Sequence, residues 1–313
     1  MTKPMRLLFC SHLDDPTEWI PELKKHMPDL EIEVWPQVKD RSSIDAILVW
    51  LPPAEGGLSL FPNLKMIQSL GAGVNQLDLK NLPRHIPLAR LVDPGLNVSM
   101  RDFCVWATLR HYRGLDMHAE HQPLKKWVYY IPPPKSAVNV GIMGIGELGG
   151  EVARAIADLG FSVRGWSRTP RTIDRVACFS GADGLKEFAS KTDILICLLP
   201  LTPETRGILA RPLFEMLPKG AKLINVGRGG HLVEADLIPA IESGRIASAT
   251  LDVFATEPLP PDHPFWTHPK ITVTPHVAAF GAAVSAAPVV VENLRRAMAG
   301  KRLLNQVDID KGY

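Results

Sequence analysis

The sequence has few features of a secreted, membrane-spanning or nucleic-acid-binding protein. Only four of its 313 residues are cysteines, and they form no C-x-x-C pair, so we expect reduced thiols in mostly apolar surroundings. No apolar run approaches the roughly 20 residues that cross a bilayer, and the amino terminus lacks a signal-peptide pattern. The net charge of +2 is too small for a dedicated nucleic-acid surface. We therefore expect a cytoplasmic protein without membrane or nucleic-acid partners. The cysteines are Cys10, Cys104, Cys178 and Cys197.

Strand-like and helical patterns alternate along most of the chain. A length of 313 residues exceeds what one hydrophobic core usually supports and predicts two domains, and the alternation is typical of parallel, doubly wound sheets. Strands are predicted at residues 6–10, 31–35, 44–50, 65–70, 137–143, 161–166, 194–199, 222–226, 248–253 and 271–273. Helices are predicted at residues 16–26, 99–120, 185–190, 213–216, 234–243 and 282–299, the last kinked or restarted at Pro288, with loops at 92–97 and 122–135.

The motif G-x-G-x-x-G follows the strand at residues 137–143 and opens a helix. In such a turn Gly144 permits a sharp bend, Gly146 lets the backbone approach a pyrophosphate, and Gly149 lets helix and strand pack closely. The amides at the helix start then bind the anion. A plain glycine-rich turn would give the same letters, but the strand, turn, helix and strand around it favour dinucleotide binding.

The second strand of this unit ends in Ser167, Arg168 and Thr169, where NAD-preferring sites usually carry an acidic residue. No carboxylate is present there to repel a 2′-phosphate, and the arginine fork suits such a group. The sequence therefore predicts NADP(H), with NAD(H) as the weaker alternative. The alternative to a cofactor contact is that Arg168 and Arg171 are solvated surface charges.

Polar residues end three strands in the second half of the chain. They are Arg228, Asp252 with Glu257 shortly after it, and His276. Because parallel strands end at the same edge of a sheet, these side chains can converge beside a bound nicotinamide. Taken alone, Arg228 could be a surface charge, Glu257 a helix or turn cap, and His276 a hydrogen-bonded histidine of the core.

Two sharp turns in the first half of the chain also follow strands. Trp50 precedes Leu51 and two prolines, and the turn of Gly71, Ala72 and Gly73 exposes backbone amides that suit a carboxylate. The alternative for Trp50 is that it only packs in the core, and the alternative for the glycine turn is that it binds no ligand. His118 and His121 carry metal-ligand spacing but lack a third ligand cluster, so no metal is predicted.

These motifs together resemble the D-2-hydroxyacid dehydrogenase family over nearly the whole chain. The match is carried by residues 144–149, 223–229, 252–260 and 274–276. Within the family, residues 50–53, 71–75 and 166–169 resemble the glyoxylate/hydroxypyruvate reductases, although Asn75 stands where an aspartate is more usual. The resemblance implies an α/β fold with a Rossmann dinucleotide-binding domain at residues 101–283 and a flavodoxin-like substrate domain at 1–100 plus 284–313.

The resemblance also implies a role for each polar residue in the reduction of a 2-oxo acid. Arg228 would bind the carboxylate and keto oxygen, His276 would donate a proton, and Glu257 would favour the charged imidazole. The implied substrate contacts are Trp50, Gly71, Ala72, Gly73, Arg228 and His276. The implied cofactor contacts are Gly144, Gly146, Glu147, Leu148, Gly149, Ser167, Arg168, Thr169, Leu199, Pro200, Val226, Gly227, Asp252, His276 and Ala278.

The expected activity is NADPH-dependent reduction of glyoxylate to glycolate and hydroxypyruvate to D-glycerate, by a homodimer. Proton transfer and charge stabilisation at the carbonyl oxygen require a group that titrates near neutrality and a cation, which this set provides. One alternative is an enzyme for bulkier 2-oxo acids such as phenylpyruvate. Another is a nucleotide-sensing binding protein with negligible turnover.

Overall fold

The computed structural model describes residues 4–74, 76–79, 81–279 and 281–309. It divides into two compact units, one formed by Met1–Leu96 with Phe280–Tyr313 and the other by Asn97–Ala279. Along the described chain, none of the helices is long and apolar enough to cross a membrane. All four cysteines are free, as expected, and three of them are buried. Burial raises the pKa of Cys10 to about 11 and that of Cys197 to about 12, so both thiols are protonated near neutral pH.

The first unit is built on a five-stranded parallel sheet in the order β2-β1-β3-β4-β5. This is the strand order of flavodoxin-like folds. The helices α1 and α8 pack against each other and bury an apolar stripe on the sheet. The elements are β1 (Arg6–Cys10), α1 (Pro16–His26), β2 (Glu31–Val34), β3 (Ala46–Val49), β4 (Met66–Ser69), β5 (Leu88–Ala89) and α8 (Ala283–Met298).

The second unit is built on a seven-stranded parallel sheet in the order β12-β11-β10-β9-β6-β7-β8. Strand β6 lies between β7 and β9, so the order reverses beside it, as in a Rossmann fold. The two-domain parallel α/β fold predicted from the sequence is confirmed. The strands are β6 (Asn139–Met143), β7 (Ser162–Ser167), β8 (Val176–Ser180), β9 (Ile194–Cys197), β10 (Ala221–Asn225), β11 (Ile246–Leu251) and β12 (Ile271–Val273).

Helices cover both faces of the second sheet and bury apolar side chains against it. The amphipathic helix α4 contributes Val152 and Ile156, both fully buried, to the core beside β6. The helices between β5 and α8 in the chain are α2 (Pro94–Tyr112), α3 (Leu115–His121), α4 (Glu147–Asp158), α5 (Gly181–Ala189), α6 (Arg211–Met216) and α7 (Glu234–Glu242).

Several boundary predictions were wrong. Residues 92–97 are not all loop, because α2 begins at Pro94, where proline lacks only an amide that a helix start leaves unpaired, and Asp93 accepts from Gly95 N–H at 2.8 Å. The helix predicted at 99–120 is two helices, broken at Gly114, whose φ is +64°. The last helix continues through Pro288 without a restart.

The sequence patterns also missed or shortened elements. The edge strand β8 and the two-residue strand β5 were not predicted, and α5 begins four residues before the predicted start at Leu185. The loop at residues 122–135 is confirmed as largely irregular, with only a short helical turn beginning at its last residue.

Candidate active site

The glycine turn between β6 and α4 has the local geometry that a phosphate-binding turn needs. Gly144 has a φ of +100°, and a Cβ added there would lie 2.7 Å from the Leu198 carbonyl. A Cβ on Gly149 would lie 1.9 Å from the Gly144 oxygen, so helix and turn touch backbone to backbone. By contrast, a Cβ on Gly146 would meet nothing within 4 Å among the described residues.

Open space at Gly146 coincides with the exposed start of α4. Gly146 is the N-cap, and within the described chain it provides no side-chain cap for the first-turn amides. Glu147 and Leu148, both predicted contacts, belong to this first turn. The amides and the helix dipole suit a pyrophosphate, so these residues fit a dinucleotide.

Strand β7 ends at Ser167 beside the predicted ribose-phosphate contacts. Ser167 is half-buried and donates its hydroxyl hydrogen bond to Thr169 O at 2.7 Å, so it supports the bend of the chain there. Arg168 and Thr169 are exposed. A guanidinium and a hydroxyl at this strand end, with no carboxylate between residues 165 and 171, suit a 2′-phosphate.

The remaining predicted cofactor contacts follow β9, β10 and β12, at the same edge of the sheet as the glycine turn. Leu199 and Val226 are buried beside that edge, and Pro200 is exposed. Gly227 packs against Leu199 O, which an added Cβ would approach to 3.3 Å. Ala278 is buried and its carbonyl accepts a hydrogen bond from Ser99 Oγ at 3.4 Å.

His276 and Glu257 form a hydrogen-bonded pair. The distance between His276 Nδ1 and Glu257 Oε2 is 2.7 Å, and both side chains are about one-third exposed, at 31% and 36%. The other carboxylate oxygen of Glu257 accepts the Phe254 N–H at 2.9 Å. Burial alone would raise the pKa of Glu257, but its bonds from His276 and Phe254 hold that pKa below the ordinary value.

Asp252 holds the segment that carries His276. Its Oδ1 accepts from the Thr274 hydroxyl at 2.6 Å and from Val277 N–H at 2.9 Å, while its Oδ2 accepts from Ala278 N–H at 2.9 Å. Asp252 is only 1% exposed, and burial raises its pKa despite those bonds. Asp252 therefore braces the His276 segment, a role that the sequence did not indicate, and its contact with the cofactor stays a prediction.

Arg228 follows β10 and is half-buried. Its guanidinium donates from Nη1 to Gly227 O at 2.7 Å. Burial lowers the pKa of Arg228 below its ordinary value, and the nearby charge of Glu257 opposes this fall. An arginine remains cationic near neutral pH, so the second unit brings a cation close to the hydrogen-bonded pair of Glu257 and His276.

The loop after Arg228 packs directly on the loop that carries Glu257. A Cβ on Gly229 would lie 1.8 Å from Phe254 O, and Ala255 N–H donates to Glu234 Oε1 at 3.1 Å. Neither Gly229 nor Glu234 was among the site residues predicted from the sequence. The glycine directly after Arg228 is a sequence signal for such close packing, whereas the contact between Glu234 and Ala255 spans 21 residues and has no local signature.

The predicted substrate contacts of the first unit lie after β3 and β4. A Cβ on Gly71 would lie 2.8 Å from the Trp50 ring, so the half-buried indole packs on the glycine backbone. Ser69 Oγ accepts from Gly71 N–H at 3.1 Å and lies 3.5 Å from Gly73 O. Ala72 and Gly73 are half-buried, and Asn75 lies outside the described residues.

Comparison with known proteins supports the family that the sequence motifs resemble, both for the second unit and for the whole chain. Residues 105–278 match the family model described as D-isomer specific 2-hydroxyacid dehydrogenase, NAD binding domain. A glyoxylate/hydroxypyruvate reductase A from Yersinia enterocolitica is 41% identical over 315 aligned positions, which cover 99% of this chain and 100% of the relative.

Solved structures are similar over the full length as well. A D-isomer specific 2-hydroxyacid dehydrogenase from Xanthobacter autotrophicus Py2, in complex with NADPH and MES, is 41% identical with a TM-score of 0.93, covering 99% of this chain and 100% of that one. An NADPH-dependent glyoxylate/hydroxypyruvate reductase from Sinorhizobium meliloti, in complex with NADP and sulfate, is 37% identical with a TM-score of 0.89 and covers 99% and 100% of the two chains.

Proposed function

This chain belongs to the D-isomer-specific 2-hydroxyacid dehydrogenase family, and on that premise we propose that it reduces glyoxylate and hydroxypyruvate with NADPH. The observation that carries the proposal is the hydrogen-bonded pair of His276 and Glu257 with Arg228 close to it. The similar proteins named glyoxylate/hydroxypyruvate reductase support the choice of substrates.

The proposed reaction gives glycolate from glyoxylate and D-glycerate from hydroxypyruvate. When bound, the reduced nicotinamide supplies the hydride that reaches the carbonyl carbon. Arg228 binds the substrate carboxylate and stabilises the negative charge that develops on the keto oxygen. His276 Nδ1 is hydrogen-bonded to Glu257, and we assign the donation of the proton to that oxygen to Nε2.

The first unit contributes the remaining proposed substrate contacts. The family resemblance implies that the turn of Gly71, Ala72 and Gly73 binds a carboxylate; because the Gly71 N–H already donates to Ser69 Oγ at 3.1 Å, we assign that contact to the amides of Ala72 and Gly73. Trp50 limits the size of the substrate side chain. Asp252 contacts the nicotinamide amide while bracing the His276 segment. Preference for NADPH rests on Arg168 at the end of β7 and on the NADP(H)-bound relatives.

Two alanine variants test the chemistry. His276→Ala removes the proton donor, so we expect kcat for glyoxylate to fall by about 100-fold or more. Arg228→Ala removes the substrate cation, so kcat/KM should fall by a similar or larger factor, while NADPH affinity should stay unchanged in this variant. The measurement is steady-state NADPH oxidation, together with a fluorescence titration of NADPH.

His268→Ala is the matched control, because this half-buried histidine lies in the turn before β12, where its Nδ1 accepts from Lys270 N–H at 3.2 Å. Normal rates in both active-site variants would reject the proposal. A panel of 2-oxo acids decides the substrate class, since faster reduction of phenylpyruvate than of glyoxylate would favour the enzyme for bulkier acids. Tight NADPH binding without turnover on any acid would favour the nucleotide-sensing protein.

The proposal includes a homodimer, as the family resemblance implies. The loop at residues 122–135 exposes large apolar side chains, with Trp127 at 88%, Tyr129 at 83% and Ile131 at 88%. Exposed apolar surface of this kind usually marks an interface. The double variant Trp127→Ser and Ile131→Ser should sediment as a monomer, while the wild type and a Leu13→Ser control should sediment as dimers. A monomeric wild type would contradict the proposal.

A further inference from the structure

His231 is a buried imidazole that the proposed reaction leaves without a role. It ends the short helical turn Gly229–His231, three residues after Arg228, and is 0% exposed. Its Nδ1 accepts the backbone N–H of Arg228 at 3.0 Å. Burial lowers the pKa of His231 to about 4, so the ring is neutral near pH 7, and because Nδ1 accepts, its proton is on Nε2.

The ring is held firmly in that position. A Cβ on Gly227 would lie 2.9 Å from His231 Nδ1, so the imidazole packs against the glycine backbone. The His231 carbonyl accepts from Leu209 N–H at 2.8 Å, and the His231 N–H donates to Arg228 O at 3.1 Å. Asn225 Nδ2 also donates to Arg228 O, at 3.3 Å. Both backbone polar groups of Arg228 are therefore engaged.

This hydrogen bond reaches the guanidinium through a single peptide unit. The Arg228 N–H and the Gly227 carbonyl belong to one planar peptide group, so fixing the N–H also fixes the direction of the carbonyl oxygen. That oxygen accepts from Arg228 Nη1 at 2.7 Å. The imidazole, the peptide plane and the guanidinium thus form one continuous chain of contacts.

We propose that His231 is a positioning residue for Arg228: it orients the peptide between Gly227 and Arg228 and thereby sets the guanidinium for the substrate. The inference rests on the proposed function, because it assigns no chemistry of its own to the imidazole. A group that must lie within a fraction of an ångström of its productive position needs such support.

Two polar variants separate positioning from packing. His231→Asn places an amide oxygen near the position of Nδ1 and can still accept the Arg228 N–H, whereas His231→Gln places its oxygen near Nε2 and cannot. We expect His231→Gln to lower kcat/KM for glyoxylate by about tenfold or more, as a buried donor that loses its partner should. His231→Asn should restore most of the wild-type kcat/KM, and NADPH affinity should be unchanged in both.

A double-mutant cycle tests whether the effect passes through the cation. In an Arg228→Lys background there is no guanidinium to orient, so His231→Gln should cause no further loss of kcat/KM. His268→Gln is the matched control, since it removes another imidazole that accepts a backbone N–H outside the site.

The outcomes distinguish this inference from the proposed function. Equal losses in the two His231 variants, wild-type kinetics of His231→Gln, or an additive loss in the Arg228→Lys background would each overturn the positioning role alone. A wild-type protein that reduces no 2-oxo acid would overturn the proposed function and this inference together.

Discussion

Single residues carry the proposed chemistry, and the backbone shows how tightly one of them is held. His276 has a φ of +56°, a left-handed conformation that a side chain adopts at a cost of about 1–3 kcal/mol. Its N–H donates to the carbonyls of Asp252 and Thr274 at 2.9 and 3.1 Å, so the surrounding contacts maintain the strained backbone. Strain retained beside a short His276–Glu257 hydrogen bond is consistent with a functional constraint on the imidazole.

Cofactor choice is also decided at the residue scale. Arg168→Ala should weaken NADPH binding by about tenfold or more, because a charge-assisted hydrogen bond contributes about 1.5–3 kcal/mol. NADH has no 2′-phosphate, so its affinity should not change. Fluorescence titrations of both cofactors measure the difference.

Arg175→Ala is the control for this prediction, because Arg175 is an exposed arginine of the same region that already pairs with Asp158 at 2.7 Å. Equal weakening of NADPH and NADH by Arg168→Ala would contradict a contact with the 2′-phosphate, and a wild type that binds NADH more tightly would contradict the predicted preference itself.

At the scale of elements, the turn from β6 into α4 separates binding from stability within one motif. A Cβ at Gly146 points into open space, so Gly146→Ala should leave the melting temperature unchanged and occupy the volume that the pyrophosphate needs. A Cβ at Gly149 would collide with the Gly144 carbonyl, so Gly149→Ala should destabilise the protein by about 1–3 kcal/mol or more.

Thermal unfolding and NADPH titration of the two variants check this prediction. Gly146→Ala should fold normally and bind NADPH at least about tenfold more weakly, since it loses close backbone contact with a charged group. Gly160→Ala is the control for backbone strain without a steric collision, because the φ of Gly160 is +91° and a Cβ there would meet no described atom within 4 Å. A Gly146→Ala variant that binds NADPH normally would remove the cofactor from this turn.

For the whole molecule, buried neutral histidines predict loss of stability in acid. The pKa of His231 falls from 6.5 to about 4 on burial, and burial lowers that of His111 as well. The unfolded chain therefore binds more protons than the folded one between these values. The stabilisation is fully present above about pH 6.5 and is lost as the pH falls toward 4.

Denaturant unfolding of the wild type and of His231→Asn at several pH values between neutrality and pH 4 measures this effect. Each pKa unit corresponds to about 1.4 kcal/mol, so the wild type should lose up to about 3 kcal/mol more than the variant over this range. Parallel pH profiles of the two proteins would show that His231 titrates normally in the fold.

The sequence by itself determined the fold class, the dinucleotide turn and the candidate catalytic set. Parallel strands that are buried on both faces consist of apolar runs, and backbone geometry requires the glycines of the turn. Both patterns can therefore be recognised within a few residues of sequence. The edge strand β8 was missed although residues 176–179 are all apolar, because periodicity alone cannot distinguish so short a run from a buried helix segment. The start of α2 was missed because proline and glycine usually mark loops, although proline also suits a first helical turn.

Only the tertiary structure decided which polar groups support the site. Asp252 meets Ala278 across 26 residues, and Glu234 meets Ala255 across 21, contacts that no local pattern encodes. His231 lies only three residues from Arg228, yet nothing in the sequence distinguishes a buried acceptor from a surface histidine. Hydrophobic periodicity and turn chemistry act over a few residues, whereas burial and hydrogen-bond partners depend on which distant segments the fold brings together.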